Sequence, residues 1–143
     1  MKHTLFIAAL AALLSTQAHG QSTPEPSAFC HTLEITGLKT GAGPLMLAAY
    51  ASAESFFKKP AWVNSTPVDG ATMRVALCNW DAAEVAIAAF QDSNGNGRLD
   101  SNPMGIPTEP TASSGHTPLF RAPSWGDAKV PLNGNAQTIS IKF

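Results

Sequence analysis

The chain reads as all-β, a single antiparallel β-sandwich of about seven strands with one long ordered loop, and three observations lead there. Short apolar segments alternate with period two, the mark of half-buried strands. Gly and Pro each occur 11 times in 143 residues, mostly between those segments, where turns are needed. No stretch sustains a helical stripe; only residues 52–59, carrying Phe56 and Phe57, suit a single helical turn before Pro60 ends it.

Each element follows from its residues. Leu33 and Ile35 alternate within 31–36, a strand stopped by Gly37, and 44–50 reads as a more deeply buried second strand. In 71–78, Met73, Val75 and Leu77 mark one face, while 83–90 is apolar almost throughout, as expected of a central strand. Segments 128–132 and 138–143 close the chain around Asn133-Gly134-Asn135, a hairpin signal, and a seventh strand is expected near Leu119. Between 91 and 126 no periodicity persists, yet five prolines restrict the unfolded chain there, so the segment reads as an ordered, functional loop.

Residues 1–20 have the form of a secretory signal peptide: Lys2 and His3, an apolar run from Leu5 to Leu14, then Ala18-His19-Gly20 before the cut. A poorly ordered leader, 21–28, precedes the sandwich domain, 29–143. The apolar run is too short to span a bilayer, and no later stretch reaches the roughly 20 residues required. The expected location is periplasmic or secreted. Without Lys2 the exported chain carries a formal charge of −2, and no basic run or Arg-interleaved aromatics point to nucleic acid. In an oxidising compartment Cys30 and Cys78 are expected to pair. Their parity allows it, because each sits opposite the apolar face of its strand. Closure of such a loop restricts the unfolded chain by about 4 kcal/mol.

The most specific chemistry lies in Asp92-Ser93-Asn94-Gly95-Asn96-Gly97-Arg98-Leu99-Asp100. Oxygen-bearing side chains fall at every second residue, with glycine at the sixth place. This is the layout of an EF-hand-type calcium loop, in which positions one, three, five and nine supply oxygens, the seventh its carbonyl, and the sixth a sharp turn. Asp92, Asn94, Asn96, the Arg98 carbonyl and Asp100 fill those roles. The twelfth place, normally a bidentate Glu, is Pro103, so Glu109 is the expected distal carboxylate. Two carboxylates and two neutral amides put the affinity in the weak extracellular range, about 10⁻⁴ to 10⁻³ M. The competing reading is a metal-free turn, since Asn, Asp and Gly also serve ordinary turn chemistry.

The run Ile87 to Asp100, then Gly105-Ile106-Pro107-Thr108-Glu109, then Ala122-Pro123-Ser124-Trp125-Gly126-Asp127-Ala128, resembles the bacterial exported family called domain of unknown function 2141. The likeness covers most of the chain after the leader. It implies an immunoglobulin-like or transthyretin-like sandwich and an exported location, and it carries no reaction with it. Asp92, Asn94, Asn96, Asp100 and Glu109 match the family pattern. Gln91 stands where the family has His, Trp125-Gly126 replaces Phe-Asp, and 110–114 replaces a Gly- and aromatic-rich segment.

Other chemistry fits less well. Ser55 and Lys58 form S-x-x-K, but Lys39-Thr40-Gly41 precedes it, the reverse of the order in serine acyl-transferring enzymes. Zinc ligation by Cys30 and His31 is disfavoured because adjacent strand residues face opposite ways. Asp92 and Asp100 as a glycosidase pair lack a sugar platform. The expectation is therefore a non-catalytic module with structural calcium, its 91–126 loop presented to an unknown protein or cell-envelope component. The alternatives are a small hydrolase using Ser114 and His116, with Asp127 following, and a ligand carrier with a pocket lined by Tyr50, Phe90 and Trp125.

Overall fold

The computed structural model describes residues 29–118 and 121–143. The expected signal peptide, leader and Leu119 lie outside them.

Among the described residues eight short strands make two sheets. The first has the order β4-β1-β8 and is built from β1 (Cys30–Thr36), β4 (Thr72–Cys78) and β8 (Thr138–Lys142). In β1 every second residue is buried, so His31, Leu33 and Ile35 face inward, and Ile139 and Ile141 of β8 do the same. The second sheet has the order β3-β2-β5-β6, with β2 (Leu45–Tyr50), β3 (Trp62–Thr66), β5 (Glu84–Gln91) and β6 (Thr111–Ser113); β7 (Lys129–Pro131) also pairs with β5. Leu45, Leu47, Ile87 and Ala89 project from this sheet onto Leu33, Ile35, Leu77 and Ile141 of the first, giving one shared core. Each fully buried Leu or Ile contributes about 1.5–3 kcal/mol.

The all-β expectation holds, with corrections in the pairing. The sheets are not wholly antiparallel, because β8 runs parallel to β1. Segments 128–132 and 138–143 form no hairpin: β7 joins β5 while β8 joins β1, so the chain between them passes from one sheet to the other. Two strands were not expected, β3 and the three-residue β6. At 52–59, Phe56 N–H bonds to Ser52 O and Lys59 N–H to Ser55 O, one helical turn that Phe57, at φ 56°, terminates.

Cys30 and Cys78 are joined, as the strand parity allows. They are register partners at the ends of β1 and β4. A second apolar cluster, Tyr50, Phe56, Ala86 and Ala128 with Trp125 packed on it, covers the outer face of the second sheet. Trp125 opens the short helix α1 (Trp125–Ala128), started by a capping box between Ser124 and Asp127. Among the described residues no helix is long and apolar enough to cross a membrane.

Candidate metal centre

The loop begins where β5 ends. Gln91 and Asp92 are each only 1% exposed, because both are pinned beneath the β1–β2 connection. Asp92 N–H bonds to Pro44 O at 2.9 Å, and Gln91 N–H to Pro110 O at 3.0 Å. The Gln91 amide donates to Lys39 O and to Gly43 O and accepts from Lys39 N–H. Gly43 makes the approach feasible. A Cβ at this position would stand 1.8 Å from Asp92 O, and its φ of +91° lies where side chains are disfavoured.

Burial of a carboxylate requires compensation, and backbone N–H groups supply it for Asp92. Its Oδ1 accepts from Gly95 at 2.8 Å and Asn96 at 3.2 Å, and its Oδ2 from Gly97 at 2.7 Å. The chain curls around the carboxylate because Gly95 and Gly97 have φ of +73° and +75°. The same device repeats outward: Asn94 Oδ1 accepts from Asn96 N–H and Asn96 Oδ1 from Arg98 N–H. The two amide nitrogens then meet on a single oxygen, Asp100 Oδ2, at 2.6 Å from Asn94 and 2.9 Å from Asn96.

Glu109 closes the structure. It is 8% exposed, and its Oε1 accepts from Ser93 N–H at 2.7 Å and its Oε2 from Asp100 N–H at 3.1 Å, so one carboxylate ties the loop's entry to its exit. Thr108 N–H bonds to Asp100 O, and Ser101 bridges Pro107. Beyond that bridge Asn102 Oδ1 accepts from Met104 and Ile106 N–H groups. Residues 91–118 are thus ordered in pieces, and β6 falls within them.

All five side chains and the Arg98 position named from sequence come together in one unit. Their donor set is oxygen only, which suits a hard cation. Among the described residues no three His, Cys, Asp or Glu groups gather to hold a metal by themselves, so cation binding here would depend on Asn94, Asn96 and the Arg98 carbonyl. The alternation also satisfies successive Asx-turns, each side chain accepting an N–H two or more residues on. What sequence reasoning missed is the clamp beneath: Gly43, Pro44 and Lys39 are 48 to 52 residues from their partners, and only the Gly-rich turn 41–43 signals them.

The residues of the alternative readings are placed differently. Ser114 is fully buried, its Oγ donating to Ala128 O at 2.6 Å and accepting from Ile87 N–H at 2.8 Å. His116 is exposed and bonds through its N–H to Asp127 O. The Asp127 carboxylate turns instead to Arg121 and Ser124, and the guanidinium, with the Ser124 hydroxyl and N–H, holds it well below the usual carboxylate range. Tyr50 and Trp125 both contact Phe56, which fills the space between them. Phe90 lies outside that cluster.

Comparison with known proteins gives one match. The family model described as "Uncharacterized protein conserved in bacteria (DUF2141)" matches residues 33–140. The chain belongs to this family. No curated protein and no solved structure matches.

Proposed function

We propose that this member of the family is an exported, non-catalytic sandwich module that binds Ca²⁺ through Asp92, Asn94, Asn96, the Arg98 carbonyl and Asp100, with Glu109 beside them. The observation that carries the reading is the meeting of the Asn94 and Asn96 amides on one oxygen of Asp100, at the rim of a loop whose base is the buried Asp92 carboxylate. Asp92 and Glu109 set the frame by binding backbone N–H groups, and within it the Asn94 and Asn96 side chains already reach Asp100 before any cation arrives. Bound Ca²⁺ would supply an electrostatic cross-link between the loop's two ends. In this reading the cross-link keeps the 91–126 segment in one conformation as a surface for a protein or cell-envelope partner. The disulfide supports export, since such bonds persist in oxidising compartments.

Thermal unfolding tests it. A ligand at about 100 times its dissociation constant adds roughly 2.7 kcal/mol, so Ca²⁺ in excess should raise the melting temperature and a chelator should reverse the rise. Mg²⁺ should do less, because it dehydrates reluctantly and demands a tighter shell.

The second reading is a metal-free chain of Asx-turns, favoured by the hydrogen bonds from Gly95, Asn96, Gly97 and Arg98 N–H groups that close the loop unaided. It predicts no melting shift. The non-catalytic part rests on the Ser114 hydroxyl being occupied by two backbone groups. A hydrolytic turnover lost in both Ser114→Ala and His116→Ala, with folding intact, would overturn that part.

A further inference from the structure

The disulfide joins two residues that the sheet already holds side by side. Below Cys30 and Cys78 the β1–β4 ladder continues through six more register pairs, from His31 opposite Leu77 to Thr36 opposite Thr72. The inward neighbours His31 and Leu77 are buried, whereas both half-cystines are partly exposed. Cys78 also forms a wall of a surface groove of about 290 Å³, with Trp62, Trp80, Ala61, Ala82 and Asp81 among the other walls; Cys30 does not line it. Trp62 belongs to β3 and Cys78 to β4, so the groove lies where an edge of one sheet meets an edge of the other.

We propose that the Cys30–Cys78 bond is a site of thiol–disulfide exchange, opened by a neutral or cationic thiol that enters this groove and attacks Cys78. Cys78 is among the walls of the groove and Cys30 is not, and the tryptophans and alanines give an incoming aliphatic thiol an apolar wall. The Asp81 carboxylate disfavours an anionic thiol. In the first step the incoming thiolate forms a bond to Cys78 Sγ, the Cys30–Cys78 bond breaks, and the electron pair leaves on Cys30 Sγ, which takes a proton from solvent. A second thiolate, from the same dithiol or another thiol molecule, then attacks the mixed disulfide on its own side. Cys78 departs as a thiolate and is protonated, the attacking thiols leave as a disulfide, and the protein has gained two electrons and two protons. The fold survives, because the core and six ladder pairs do not depend on the bridge.

The test uses the exported, oxidised chain without denaturant. Cysteamine, 2-mercaptoethanol and thioglycolate are applied at equal thiolate concentration, free thiols are trapped by alkylation, and peptide mass mapping locates the adduct while circular dichroism follows the fold. The bond should open with the β signal retained, the adduct should sit on Cys78, and the ratio of the cysteamine rate to the thioglycolate rate should exceed the ratio the same two thiols give with an open-chain disulfide, a reference that removes their different intrinsic nucleophilicity. Asp81→Asn should shrink that ratio. Opening only on unfolding, an adduct on Cys30, or a charge order that Asp81→Asn leaves unchanged would overturn the proposal.

Discussion

Replacing Gly43 by Ala should damage the loop's foundation far more than the same change at Gly41, two residues away. Both glycines have positive φ, +79° at Gly41 and +91° at Gly43, so each substitution incurs a left-handed backbone cost of about 1–2 kcal/mol. At Gly41 nothing lies within 4 Å of the new methyl, and the cost ends there. At Gly43 the methyl would stand 1.8 Å from Asp92 O and 2.6 Å from Asp92 C, both backbone atoms that cannot swing aside. The strand end must retreat, which endangers the Asp92 N–H bond to Pro44 O and the Gln91 amide bond to Gly43 O. A buried group left unpaired costs about 1–3 kcal/mol, so the total for Gly43→Ala should reach roughly 4 kcal/mol. That is a large share of the roughly 5–15 kcal/mol holding a domain together. Urea unfolding of the two variants measures the difference directly. Equal losses for the pair would refute the close approach of the β1–β2 connection to Asp92.

Ser114→Ala should destabilise by about 1–3 kcal/mol in chemical unfolding, because Ala128 O and Ile87 N–H lose their shared partner inside the protein; a change within a few tenths would contradict its structural role. Glu109→Ala should free Ser93 and Asp100 N–H groups, seen as loss of hydrogen-exchange protection at those two amides with β1 amides unaffected; unchanged protection would count against the closure of the loop by this carboxylate. Asp127 is held in its charged form by Arg121 and Ser124, so its folded-state pKa lies below its unfolded value. The stability it adds is therefore present above the unfolded carboxylate value of about 3.9 and disappears as pH falls below it toward the folded value. Acid titration should show the parent losing stability relative to Asp127→Asn below about pH 4, and parallel curves would reject the linkage.

Which parts of this architecture can be read from the sequence depends on where the determining contact lies. β1 and β5 are legible because burial alternates along the first and apolar residues run without a break from Val85 to Phe90 in the second. β3 follows the rule only at Trp62, which packs on the core; beyond it Val63 is 67% exposed while Asn64, its Oδ1 buried without a hydrogen-bond partner, turns inward. With Val63 pointing out and Asn64 pointing in, Trp62 alone is too little apolar alternation to detect. At 133–135 the turn chemistry is obeyed, with Gly134 at φ +76° and Asn133 Oδ1 accepting from Asn135 N–H. The hairpin inference fails nonetheless, because β5 and β1 offer the two flanking segments different partners. In the candidate site, the spacing from Asp92 to Asp100 and the reach of Glu109 are visible in sequence. Gly43 and the Gln91 clamp are not, since their reason for being there is tertiary.

Calorimetric titration of Ca²⁺ into the exported protein and its Asp100→Ala variant tests the central claim most directly. Asp100 sits at the rim, where its side chain binds only the Asn94 and Asn96 amides, so the variant should stay folded at a cost of about 1 kcal/mol. The account predicts one site in the parent with a dissociation constant of about 10⁻⁴ to 10⁻³ M, and no binding heat in the variant. No heat in the parent up to several millimolar Ca²⁺, on the order of the weakest extracellular sites, or the same heat in both proteins, would contradict it.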